Sequence, residues 1–202
     1  MGSNIISKNK NDKKDYIDLK DEEIVLLIQK GNKDIFDLII DRYTDKIERY
    51  LKKFLSNKED QEDLLQDIFI KCFININSFD TDQKFSPWIY RISHNEAINL
   101  LKKNSNRPFS FDIFDEAFSF THPKAKEDSE SDSERILIKK YLDSILEDIS
   151  IKYKEIIILY FYEDLSYKDI SDVLKIPISL VGVRIQRGKK EIRKILEERK
   201  IK

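Results

Sequence analysis

The side chains best suited to binding chemistry lie between Phe85 and Lys103, in the stretch FSPWIYRISHNEAINLLKK. Read as a helix, it lines up Trp88, Arg91, Asn95, Asn99 and Lys102 on one face. Ile89, Ser93, Ala97 and Leu100 share another face that can pack inward. An indole, a guanidinium, two amides and an ammonium match what unstacked bases and phosphates require: a stacking surface, hydrogen-bonding groups and positive charge. Residues 84–107 carry five Lys/Arg against one Glu. A lone tryptophan is as readily a core residue, and a partly buried ring with an exposed edge satisfies both readings. Ser86 then Pro87 marks the expected helix start, a capping hydroxyl before proline at the first helical position.

A second stretch, Ser166–Lys194, reads SYKDISDVLKIPISLVGVRIQRGKKEIRK. Ser166 with Asp169 three residues on has the capping-box pattern that opens a short helix. A turn follows around Lys175–Pro177. The next helix places Val181, Ile185, Ile192 and Leu196 inward, with Ile195 beside them. The opposite arc holds Leu180, Val183, Arg187, Lys190 and Lys194, flanked by Arg184, Gln186 and Arg193. Two short helices about a tight turn, the second basic on its free face, form a helix-turn-helix pattern for the DNA major groove. From Ser166 to Lys202 there are eleven bases and five acids. A solvated basic helix is the plainer alternative.

The third stretch, Asp60–Phe73, reads DQEDLLQDIFIKCF. Helical spacing makes Leu64, Leu65, Ile68, Phe69, Cys72 and Phe73 an apolar stripe for the core. Asp63, Gln66, Asp67, Ile70 and Ile74 lie opposite. Two acids and two isoleucines on one outward line suit docking onto a basic, partly apolar partner helix. An ordinary acidic helix start, favoured by the macrodipole, remains an equal alternative on periodicity alone. Glu59, Asp60, Glu62 and Asp63 are mostly adjacent positions that a helix points to different sides, which argues against a shared metal ion.

Composition removes most enzyme chemistry. The chain has 202 residues, with 37 Lys+Arg against 38 Asp+Glu and a formal net charge of -1. Any pull toward nucleic acid must therefore come from local segregation of charge. Four glycines (Gly2, Gly31, Gly182 and Gly188) leave no phosphate-cradling loop. One cysteine and two histidines, His94 and His122, leave no intrachain disulfide and no Cys-cluster zinc site. The single cysteine and the lack of an apolar leader predict a reducing cytosol. No run of eighteen apolar residues predicts a membrane span. The 32 isoleucines against 3 alanines fit an AT-rich genome, so not every isoleucine is a packing choice.

The elements that must position these stretches are helical, since no strand alternation is visible. Residues 1–20 read as a polar tail, residues 21–104 as one helical domain and 136–202 as another. Residues 105–135 read as a linker with Pro108, Pro123 and eight acids against four bases. Phe109, Phe111, Phe114, Phe118 and Phe120 are unusual there, and suit either packing on a domain or partner or a satellite apolar cluster. Leu146–Tyr162 is expected to be a core helix under the helix-turn-helix. The expected fold class is all-α: two small helical domains joined by a flexible linker.

In this order the three stretches resemble bacterial sigma factors of the extracytoplasmic-function type. DQEDLLQDIFIKCF is similar to the family's region-two helix, FSPWIYRISHNEAINLLKK to the segment after it, and YKEIIILYFYEDLSYKDISDVLKIPISLVGVRIQRGKKEI to region four. WIYRISHN is the most specific piece. The resemblance implies a monomer when free that binds core RNA polymerase and promoter DNA, with no cofactor, catalytic residue or metal. It implies polymerase contacts at Asp60, Glu62, Asp63, Leu64, Gln66, Asp67 and Ile70. For the melted, single-stranded minus-ten element it implies the loop Asn77–Asp82, with Asn77, Ser78 and Phe79. It adds the helix residues Trp88, Tyr90, Arg91, His94, Asn95, Asn99, Lys102 and Lys103. For the duplex minus-thirty-five element it implies Ser166, Lys168, Ser179, Leu180, Val183, Arg184, Arg187 and Lys190. An anti-sigma protein is left open as a further partner, because many relatives have one.

Four positions depart from the family pattern. Lys175 stands where a turn glycine is frequent, and left-handed backbone there would cost a side chain about 1 kcal/mol. Ser179 replaces another glycine. Gly182 replaces a frequent lysine, and Gly188 adds a second weak point to the helix. The competing classes are a stand-alone helix-turn-helix regulator, for which no dimerising heptad seam is visible, a metal-dependent nuclease and a protein adaptor.

Overall fold

The computed structural model describes residues 16–104 and 132–199, and among them all regular structure is helical. The chain divides into two compact units between Ala97 and Ile98. The Phe-rich stretch of the expected linker and residues 1–15 of the expected tail lie outside the described residues.

In the first unit, α1 (Asp21–Gln29), α2 (Phe36–Lys52) and α3 (Lys58–Asn75) are followed by a 3-10 turn at Ile76–Ser78 and by α4 (Phe85–Asn104), whose residues up to Ala97 belong to this unit. A nine-residue helix such as α1 is marginal alone and depends on tertiary contacts. Two of three consecutive acids supply them, and the third caps the helix locally. Asp21 accepts from Arg42 Nη1 and from Tyr43 Oη, each at 2.6 Å, joining α1 to α2. Glu22 accepts from the Phe85 backbone N–H at 2.8 Å, at the start of α4. Glu23 accepts from the Lys20 N–H at 2.7 Å, closing the helix's own first turn. Gly31, at φ +111°, turns the chain out of α1. The core is aromatic and β-branched: Tyr43 meets Phe85 edge-on at 5.5 Å and Tyr50 meets Tyr90 at 5.6 Å, over Ile39, Ile47 and Ile68. Burial and the neighbouring Asp21 carboxylate hold the Tyr43 phenol well above its ordinary pKa.

The helix containing Trp88 starts at Phe85, ahead of the expected Ser86–Pro87 start. Pro87 therefore sits within the first turn, where its missing N–H has no intrahelical partner to lose.

The second unit carries α5 (Asp132–Ile145), a 3-10 turn at Leu146–Asp148, α6 (Ile151–Phe161), α7 (Tyr167–Leu174) and α8 (Ile178–Glu198). The expected single helix Leu146–Tyr162 is thus broken. Ile149 is extended and Ser150 is the N-cap of α6, whose backbone N–H donates to Glu191 Oε1 of α8 at 3.2 Å. Three polar residues, Glu147, Asp148 and Ser150, interrupt the apolar run, and serine there is a start signal. Gly188 is also a close-approach position. A Cβ there would lie 2.8 Å from Ile157 Cδ1 and 2.9 Å from Ile157 Cγ1, so a side chain at this point of the α6–α8 contact would force Ile157 to shift.

Candidate nucleic-acid and polymerase interfaces

The helix-turn-helix forms as its residues predict. Ser166 caps α7 by accepting from the Asp169 N–H at 3.1 Å, and Asp169 Oδ2 returns the bond to the Ser166 N–H at 3.1 Å. Lys175 ends α7 in the left-handed region, at φ 56° and ψ 40°, and so bears the cost expected of a side chain at a turn-glycine position. Ser171 Oγ donates to the Ile176 carbonyl at 2.6 Å across the same turn. Pro177 then caps α8 with its carbonyl, which accepts from Leu180 and Val181 N–H.

On α8, Val181, Ile185, Ile192 and Leu196 are buried, as expected. Ser179, Arg187, Lys190, Arg193 and Lys194 are exposed, and Leu180, Val183 and Gln186 are half-buried beside them. Arg187, Lys190 and Lys194 also line an open groove of about 720 Å³ with Ser150 and Tyr153. Arg184 departs from expectation. It is 7% exposed, on the edge of the packed face, and so supports the unit rather than presenting its guanidinium. Gly182 is buried too, so its position does not belong to the outward arc where a phosphate-binding lysine would be useful. Lys168 is exposed on α7 and Ser166 is committed to its cap. Asp164, just before Ser166, is a second left-handed residue at φ 51°; sequence reasoning missed it because no glycine marks it.

In the first unit, Trp88 is half-buried, which is the compromise its two readings share. Its ring lies 5.3 Å from Phe79 and 5.6 Å from Phe85, and those two meet edge-on at 5.4 Å. Such a cluster fixes the indole plane while leaving part of it at the surface. Along α4, Asn95, Asn99, Lys102 and Lys103 are exposed, and Arg91 and His94 are half-buried. Asn77 and Ser78 are exposed in the preceding turn. Phe79 and Tyr90 are buried, so they brace the face rather than form its surface.

α3 bears out its two-sided pattern in most positions. Asn57 caps it, accepting from the Glu59 N–H at 2.8 Å. Ile68, Phe69 and Cys72 are buried, and burial pushes the Cys72 thiol up to about 12. Leu64 is buried with them and cannot be a surface contact. Phe73, expected inside, is 36% exposed, although it still meets Phe36 edge-on at 5.0 Å. Glu62, Asp63, Gln66 and Asp67 are exposed and Asp60 is half-buried. Ile70 and Ile74, at 54% and 68% exposure, continue that line. Isoleucines so exposed beside carboxylates gain nothing from the fold itself. Lys71 on the same helix pairs with Glu96 of α4.

A capped helix-turn-helix in the same chain as an aromatic, cationic face suited to unpaired bases defines the class: a transcription-initiation protein that reads promoter DNA. Comparison with known proteins gives the family. The Sigma-70 region 2 model matches residues 39–107 and the Sigma-70, region 4 model matches residues 139–192. The ECF RNA polymerase sigma factor SigW of Bacillus subtilis is 31% identical over 175 residues, covering 85% of this chain and 94% of that protein. The RNA polymerase sigma-H factor of Pseudomonas aeruginosa is 30% identical over 182 residues, covering 88% and 94%. The fold is shared with CnrH, solved in complex with the cytosolic domain of CnrY, at TM-score 0.62 and 20% identity over 88% of this chain and 97% of that one. It is also shared with RpoE of Bartonella quintana, solved with the anti-sigma factor NepR, at TM-score 0.57 and 21% identity over 80% and 96%. The chain belongs to the sigma-70 family, in its extracytoplasmic-function (ECF) group, and is a promoter-directing sigma factor. Among the described residues, no helix is long and apolar enough to cross a membrane.

Proposed function

We propose that residues 21–104 form the domain for core polymerase and the minus-ten element, and residues 136–202 the domain for the minus-thirty-five element. The observation that carries this division is the segregation of charge in a chain of net -1: the outer face of α3 is acidic and apolar, and the outer arc of α8 is cationic. Asp63, Gln66, Asp67 and Ile70 dock on the polymerase, with Asp60 and Glu62 at the rim and Ile74 extending the apolar line. Leu64 holds the helix from beneath.

Asn77 and Ser78, with Trp88, Arg91, His94, Asn95 and Asn99, receive the unpaired minus-ten strand. Lys102 and Lys103 hold its phosphates, and Phe79 and Tyr90 brace the site. Unstacking a base costs a few kcal/mol, and stacking on an aromatic ring returns roughly 1–3 kcal/mol. Ser179, Leu180, Val183, Arg187 and Lys190 face the minus-thirty-five groove with Lys168 at its edge. There phosphate contacts set register and base edges set sequence. Bond-making stays with the polymerase, and the protein acts in the cytoplasm, where the polymerase is.

Run-off transcription with core polymerase on a genomic promoter library tests the whole reading. Specific transcripts are expected, and a chain that directs none would end it. For the docking face, Asp67→Lys should lower affinity for core polymerase by roughly tenfold or more, since it sets a cation against a basic partner. Unchanged pull-down by that variant would place the contact elsewhere.

A further inference from the structure

The loop that precedes α4 is held at both of its ends by one helix that carries none of the proposed reading residues. At the upstream end, Gln29 Nε2 of α1 donates to the Ile76 carbonyl at 2.8 Å and to the Phe79 carbonyl at 2.9 Å. At the downstream end, Glu22 Oε1 accepts from the Phe85 N–H at 2.8 Å. Glu22 and Gln29 are seven residues apart, two turns of the same helix face. Between these ties the loop carries short-range bonds of its own, among them Asp82 N–H to Asp80 Oδ1 at 3.1 Å and Gln83 N–H to the Asp80 carbonyl at 3.0 Å. The chemistry is specific to the residue types. Two carbonyls converge on Gln29, and a primary amide offers the two N–H donors they need, whereas a carboxylate offers none. A single free backbone N–H meets Glu22, whose oxygen accepts it.

We propose that Glu22 and Gln29 are positioning residues that set the width of the minus-ten loop, so that α1 governs promoter specificity without touching DNA. The inference rests on the reading of Asn77 and Ser78 given above. A pocket for a single base must hold its geometry to within about 0.5 Å, and sites on loops reach that only when anchored to packed elements. With both ties in place, the carbonyls of Ile76 and Phe79 are fixed to a rigid element, and the exposed Asn77 and Ser78 lie between them.

The test uses the sigma factor assembled with core polymerase on two promoter duplexes that differ at one minus-ten base. The readout is the ratio of open complex formed on the matched and mismatched duplexes. Gln29→Met keeps length and removes both donors, and should lower the ratio roughly fivefold or more, one hydrogen bond being worth about that factor. Gln29→Glu should lower it further, because a carboxylate then faces two carbonyls. Glu22→Leu should also lower it, whereas Glu22→Gln keeps an acceptor oxygen and should restore the wild-type ratio. Core-polymerase affinity and binding to a minus-thirty-five duplex should stay at wild-type values throughout. An unchanged ratio in both Gln29→Met and Glu22→Leu overturns the proposal. So does a fall matched by equal losses of polymerase and minus-thirty-five binding, which would mean simple unfolding. Asn77→Ala and Ser78→Ala separate the two layers. If they leave the ratio unchanged, the loop does not read the base and the underlying reading falls; if they lower it while the α1 variants do not, only the positioning role falls.

Discussion

The face around Trp88 and the outer arc of α8 both offer cations and hydrogen-bonding groups to nucleic acid, yet they are built by opposite means. Around Trp88, three aromatic rings lock one another and side chains from a different helix reach backbone carbonyls and an N–H of the neighbouring loop. On α8 the presenting surface is one helix, braced from below by Ile157 against Gly188 and preceded by a capped turn. The difference fits the ligands proposed for the two faces. A duplex supplies its own rigid shape, so a stiff cationic rod suffices. An unpaired strand has no shape of its own, so the protein must supply one.

The largest test of this contrast is Gly188→Leu. Its side chain would enter the space of Ile157 and destabilise the second unit by about 2–3 kcal/mol. Thermal melting followed by minus-thirty-five binding should show that loss, while the first unit keeps its transition. Trp88→Ala should weaken the open complex by roughly 1–3 kcal/mol of lost stacking while closed-complex binding holds. Equal losses in both would make Trp88 a core residue and erase the contrast. Arg187→Ala should weaken minus-thirty-five binding and reduce its salt slope by about one, as loss of one phosphate contact requires. An unchanged slope would remove Arg187 from the backbone contacts. The smallest change is Lys175→Gly, expected to raise stability of the helix-turn-helix by about 1 kcal/mol through relief of left-handed backbone, read by chemical denaturation. No gain there would mean that Lys175 makes compensating contacts.

Periodicity carried the inward and outward faces of α3 and α8, because a 3.6-residue repeat translates directly into burial. It did so at Ile68 and Cys72, and at Ile185 and Ile192. The capping pair Ser166 and Asp169 was legible for the same local reason. Burial at the margin of a face was not: Arg184 flanks the outer arc on the wheel yet is buried, while at Leu64 the wheel's inward placement holds against the surface contact that the resemblance implied. Nor was Gly188, since a close approach depends on the residue it faces, Ile157, thirty-one positions away in sequence. The ties from Glu22 and Gln29 were invisible for the same reason. A glutamine that bonds a carbonyl 47 residues away has no local signature.

The far end of α8 is moored as well. Arg199 donates to the Ser144 carbonyl at 2.7 Å and pairs with Asp148, at the corner between α5 and α6. A helix of 21 residues is about 30 Å long. A tilt of roughly ten degrees about that mooring would sweep Ser179 by about 5 Å, more than the ~3.4 Å between successive base steps. On the reading proposed for α8, the base pair that the leading turn meets would depend on the corner where Ser144 and Asp148 sit, and drift at that corner would surface as a shifted promoter preference.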